Sequence, residues 1–133
     1  RFQSDILIEE ENGAFVEYPI GCLRYSPLFY WRLYVLGRLF PANHKMVGDG
    51  QFLSQGGRKK RKLTQFTIGH VSSDGYYASK LEAALNKYEN LNFDDLVVIG
   101  HPKGNTVFSI AKLQEFIEKH HNNHKFISFQ QVL

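Results

Sequence analysis

Four consecutive apolar residues, Leu96-Val97-Val98-Ile99, closed by Gly100-His101-Pro102, constrain this chain more than any other stretch. A run so short and continuous, rich in β-branched residues, reads as a strand buried on both faces, the pattern of a parallel sheet covered by helices. The downstream sequence agrees. Thr106 or Ser109 can cap a helix in which Ile110, Leu113, Phe116 and Ile117 form one stripe. That helix runs out at His120-His121-Asn122-Asn123, and Lys125 to Phe129 offers a final strand.

The upstream sequence repeats the alternation. Residues 14–20, Ala14 to Ile20, read as a strand closed by Gly21, and Ser26-Pro27 as a helix start with serine at the N-cap and proline in the first turn. That helix, LFYWRLYVLGRLF, is apolar almost all round and stops at Pro41. Residues 41–57 are rich in turn formers and read as loop. A short helix is predicted over Arg58–Phe66 with Leu63 and Phe66 on one face, then an extended segment over 67–71 and a turn at Ser72-Ser73-Asp74-Gly75. Tyr77, Leu81, Ala84, Leu85 and Tyr88 fall at helical spacing. Strand, helix, strand, helix, strand predicts an α/β fold with a largely parallel sheet.

Composition narrows the class. A chain of 133 residues, 43% hydrophobic and 14% aromatic, has enough apolar surface for one domain, 1–133, and is not disordered. Cys22 is the one cysteine, so an internal disulfide is excluded. The densest apolar run, Leu28 to Phe40, is interrupted by Arg32 and Arg38, which argues against a membrane span. The sequence opens on Arg1 without a signal segment and reads as a piece of a longer product.

In a parallel α/β sheet ligands sit beyond the carboxyl ends of the strands, and His101 stands at such an end. Gly100 permits close approach of other groups, and Pro102 biases His101 towards an extended backbone. An imidazole presented there can act as acid or base near neutral pH, although the residues alone also fit a plain loop histidine.

The segment GHPKGNTVFSIAKLQEFIEKH, preceded by VVI and followed by KFISF, resembles the C-terminal end of the polysaccharide deacetylase family, the metal-dependent carbohydrate esterases. The resemblance extends more loosely through GAFVEYPI, SPLFYWRLY and VSSDGYYASKLEAAL. It implies the later half of a distorted (β/α) barrel, a bacterial protein, and metal-assisted hydrolysis that removes acetyl groups from a carbohydrate. His101 matches the family's general acid, which protonates the leaving group. Asp74 matches, by order along the chain, the acidic residue that supports that histidine; a carboxylate beside an imidazole fixes its tautomer. Trp31, Tyr34 and Lys103 are the candidate substrate contacts, the aromatic rings because they cover the apolar face of a sugar.

The resemblance also implies a divalent metal such as zinc in an intact family member. The family draws its catalytic base and a metal contact from an early TFDDG-like strand, with two histidine ligands from an HxxxH-like segment after it. The pairs Asp49-Gly50 and Asp74-Gly75 lack the preceding Thr-Phe, and no such pair of motifs stands ahead of the matched strands. Either these elements lie upstream of Arg1 or the metal site has been lost, so no metal ligand is assigned within this chain, and the isolated chain is expected to be inactive. A non-catalytic carbohydrate-binding domain is the alternative.

Two further features remain. Residues 58–62, Arg58 to Lys62, are five consecutive basic residues in a chain of net charge +3, so the basicity is local. Such a run can contact phosphates or an anionic polysaccharide, but no aromatic residue interleaves it as in single-strand binders, and no nucleic-acid-binding motif accompanies it. A solvated basic helix is the plain reading. His120, His121 and His124 cluster at a predicted helix C-terminus, where positive character complements the helix dipole. If half of the barrel is missing, aromatic surface is left exposed, and a homodimer through it is expected.

Overall fold

The structure, a computed structural model, describes residues 17–48 and 56–128, the first three of the second range by backbone alone. Two strands, β1 (Cys22–Tyr25) and β2 (Thr67–His70), pair antiparallel with Cys22 opposite His70 and Tyr25 opposite Thr67. Between them run three helices: α1 (Pro27–Leu39), α2 (Pro41–Val47) and α3 (Gly56–Thr64). After β2 a 3-10 segment, Gly75–Lys80, leads into α4 (Leu81–Asn90), and a second short 3-10 turn, Pro102–Gly104, precedes α5 (Val107–His120).

The predicted α/β fold with a largely parallel sheet, the later part of a (β/α) barrel, is not what these residues build. The described residues are helix-rich and their one sheet is the two-stranded antiparallel pair. Leu96 to Ile99 is half-buried rather than covered on both faces, and makes only isolated parallel bridges, Val97 with Ile20 and Ile99 with Ser72. Exposed Asp94 and Asp95 on one side and the Gly100-His101-Pro102 exit on the other leave too short a run for a ladder. The predicted first strand is displaced: residues 14–16 lie outside the described residues, Ile20 makes one bridge, and regular pairing starts at Cys22. Residues 125–128 form no strand, and Phe129 lies outside the described residues.

Helix α1 starts as its sequence dictates. Ser26 accepts a hydrogen bond from the Phe29 N–H at 3.4 Å, and Pro27 occupies the first turn, where its missing N–H costs nothing. Pro41 ends it, yet the same proline opens α2 within the stretch predicted as loop. The turn brings His44 back over Gly37, where a Cβ would lie 3.2 Å from the ring, so the glycine inside α1 makes room for α2. The buried face of α1 carries Phe29, Tyr30 and Leu33 against Tyr25, Tyr77 and Leu81. Tyr25 is the hub: its ring meets those of Phe29 and Tyr77 at 5.1 and 5.0 Å, and its hydroxyl donates to the His70 carbonyl at 2.9 Å. Burial pushes its phenol well above the ordinary value, so it stays protonated and keeps donating.

Both residues read as candidate caps of α5 are used. Thr106 Oγ1 accepts from the Ser109 N–H at 3.1 Å and Ser109 Oγ accepts from the Thr106 N–H at 2.8 Å, a reciprocal capping box. Thr106 Oγ1 also donates to the Val47 carbonyl at 2.8 Å, which ties α5 to the end of α2. Thr106→Ala is expected to lower stability by about 1–2 kcal/mol, because both contacts go at once. A urea titration followed by circular dichroism checks it; an unchanged midpoint would show the cap to be dispensable.

Candidate active site

Asp74 leads the 3-10 segment Gly75–Lys80 and is 2% exposed. His101 leaves the half-buried 96–99 run in an extended conformation, φ −115° and ψ 131°, as expected of a residue before proline. The two segments lie side by side through the Ser73 N–H to Ile99 carbonyl bond at 2.9 Å and the Ile99 N–H to Val71 carbonyl bond at 3.1 Å. That pairing delivers His101 onto Asp74. Its backbone N–H donates to Asp74 Oδ1 at 2.7 Å, and its imidazole Nδ1 lies 2.7 Å from Asp74 Oδ2.

One residue therefore grips both oxygens of one buried carboxylate. Burial alone would raise the Asp74 carboxyl, but the His101 backbone N–H, the His101 ring and Ser72 outweigh it and hold it below the ordinary range. An ionised carboxylate only accepts, so Nδ1 carries the proton in this contact. The His101 side chain remains 57% exposed, and among the described residues Nε2 has no partner. The arrangement is a buried anion that fixes and orients an imidazole which itself stays more than half exposed.

Close packing fixes the geometry. A Cβ on Gly100 would lie 2.5 Å from Ser73 Oγ, and one on Gly104 would lie 2.7 Å from Asp74 Cγ. The Pro102–Gly104 turn thus folds back over the carboxylate, closed by the Gly104 N–H to His101 carbonyl bond at 2.8 Å. Ser72 accepts from the Asp74 N–H at 3.0 Å and supports the carboxylate from beneath. Of the residues that the sequence singles out, His101 and Asp74 come into contact and Gly100 packs against Ser73 beside them. Ser72 and Gly104 are not singled out by the sequence, where their only signals are a serine two residues before the aspartate and a second glycine four residues after Gly100.

Of the remaining candidates, Lys103 stays beside this pair and Trp31 and Tyr34 do not. Lys103 is exposed on the turn that follows His101. Trp31 and Tyr34 lie on α1 against α3, with Trp31 Nε1 donating to the Leu63 carbonyl at 2.9 Å and Lys59 Nζ 4.9 Å above the Tyr34 ring.

The histidines of the α5 end are otherwise engaged. His120 Nε2 lies 3.0 Å from Glu82 and His124 Nε2 3.1 Å from Glu89, both carboxylates on α4, and His121 Nδ1 lies 2.7 Å from the Glu118 carbonyl. Lys119 and His120 together hold the Glu82 carboxyl below its ordinary range. Among the described residues no group of three or more His, Cys, Asp or Glu side chains could hold a metal ion, so these residues do not fit the divalent metal that the resemblance implies. A cleft of about 280 Å³ between α4 and α5 is lined by Glu82, Lys112, Glu115 and Lys119, away from the Asp74–His101 pair.

Comparison with family models, with curated proteins and with solved structures yields no match. No helix among the described residues is long and apolar enough to cross a membrane.

Proposed function

We propose that the chain carries the proton-donating part of a polysaccharide deacetylase-like site, with His101 as general acid and Asp74 as the carboxylate that orients it. The observation that carries this reading is the two-point grip of buried Asp74 on a His101 whose side chain stays 57% exposed. In hydrolysis of an acetamido or acetyl ester group, water adds to the acyl carbon and the bond to the sugar nitrogen or oxygen breaks. The leaving atom then needs a proton, and Nε2 of a protonated His101 supplies it. Asp74 stays ionised throughout and offsets the ring's charge before the transfer, as triad carboxylates do.

This proton transfer draws on no metal ligand from the chain. A second reading, glycan binding without turnover, holds if the full-length protein carries no TFDDG-like motif ahead of these residues. Acetate release from an acetylated glycan by the full-length protein decides between them. Under the first reading His101→Ala lowers turnover by about 10²-fold or more while glycan affinity is kept. Turnover unchanged in that variant removes His101 from the reaction. Glycan binding by the wild type without acetate release establishes the second reading instead.

A further inference from the structure

Charge is unevenly divided along this chain. Residues 18–73 contain nine Lys or Arg and one acid, Asp49, so the remainder is net acidic although the whole carries only +3. The densest part of that basic stretch lies on α3, which packs on α1. Lys59, Lys60 and Arg61 are exposed on α3, and none of them makes an ion pair among the described residues. Helix α3 packs on α1, whose outward face presents Leu28, Val35 and Leu39, continued by Phe40, all exposed, with Trp31 at the seam between the two helices, 44% exposed and bonded through Nε1 to the Leu63 carbonyl. Arg32 lies within that stripe and Arg38 beside it. The aromatics absent from the basic run in sequence are supplied in space by α1: Lys59 covers Tyr34 at 4.9 Å and Lys62 covers Tyr30 at 5.3 Å.

From this juxtaposition we infer that the α1–α3 face docks on an anionic lipid surface, independently of any deacetylase activity. Two other occupants, a second copy and a nucleic acid, each leave part of the face unsatisfied. A second copy meeting it across a two-fold axis would set Arg32 and Arg38 among like charges without an acid between them. A nucleic acid would satisfy the cations through phosphates but would leave Leu28, Val35, Leu39 and Phe40 without a use. A bilayer rim supplies both halves: headgroup phosphates for Lys59, Lys60 and Arg61, and the acyl boundary for the aliphatic and aromatic side chains. Arg32 fits the same interface, since its apolar stem can lie with the stripe while its guanidinium reaches the headgroups.

Trp31 is the one tryptophan of the chain and sits on this face, so its emission reports docking directly. The protein is titrated with vesicles of phosphatidylcholine alone and of phosphatidylcholine with phosphatidylglycerol. Expected are a blue shift of Trp31 and co-sedimentation with the phosphatidylglycerol vesicles only, weakened by salt. A charge-reversed variant, K59E/K60E/R61E, is expected to bind at least about tenfold more weakly, since each basic side chain near an anionic surface adds to affinity. L39S/F40S, altered at positions 64% and 56% exposed, should lose binding while keeping the wild-type thermal melt. No shift with either vesicle overturns the proposal. So does tight binding to DNA or heparin that L39S/F40S leaves intact, which would make the face a polyanion site. A lipid-free blue shift that grows with protein concentration, with dimers in sedimentation, would make it an interface between copies and overturn the proposal as well.

Discussion

Asp74→Ala is expected to lower folding stability by about 3 kcal/mol, more than its one exposed ion pair would suggest. The imidazole contact contributes little of this, because His101 is more than half exposed and water competes for it. The loss comes from the buried side. Removing the carboxylate deprives the His101 backbone N–H of its acceptor, leaves the Ser72 hydroxyl without its charged partner, and opens a void under the Gly104 turn. Chemical denaturation of the two proteins at neutral pH measures the difference, and a loss below about 1 kcal/mol would show that the carboxylate is not structurally coupled to the turn.

The same residue gives a pH signature of definite sign. The folded state holds the Asp74 carboxyl below the ordinary value of 3.8, so the unfolded chain takes up a proton at a higher pH than the folded one. The stabilisation is fully present above 3.8 and is lost as pH falls through the lower folded value. Wild-type stability should therefore fall across that acid window with an extra slope that Asp74→Ala lacks. Parallel curves for the two proteins would mean that Asp74 titrates alike in both states.

How far the sequence disclosed this arrangement depends on the range of the interaction concerned. Ser26-Pro27 and the Thr106 and Ser109 caps were legible because a cap is decided within four residues. His101 and Asp74 stand 27 residues apart, and their pairing came from the order of motifs in a resemblance, which the 2.7 Å contact matches in position but does not extend to chemistry. The sheet was misread because Leu96 to Ile99 satisfies a local strand pattern while its pairing is decided by what lies beside it, here two single bridges. Pro41 misled in a different way: a proline ends one helix and is equally suited to start the next, and only the packing of His44 on Gly37 decides that a second helix forms. The sequence offers Trp31 and Tyr34 as sugar platforms by residue type alone. Their facing α3 follows from where the basic helix docks, which no local pattern in α1 encodes.

Gly104→Val tests whether the turn positions the carboxylate or merely passes near it. The glycine is not needed for its backbone conformation, because its φ does not lie in the left-handed region. It is needed for space: a Cβ would sit 2.7 Å from Asp74 Cγ, 2.8 Å from Oδ1 and 2.9 Å from Cβ. Three contacts to one short, buried side chain cannot all be relieved by a rotamer change, because either oxygen that swings away abandons a His101 donor. Expected is a destabilisation of about 2–3 kcal/mol, typical of overpacking in a closed site. The decisive measurement is a double-mutant cycle. In an Asp74→Ala background the obstructing atoms beyond Cβ are gone, so Gly104→Val should cost much less there, leaving a coupling of about 1–2 kcal/mol between the two positions. Strict additivity would show that the turn tolerates the side chain by moving outward as a unit. In that case Asp74 would hold His101 without help from Gly104, and the two-point grip on the carboxylate alone would account for the orientation of the imidazole.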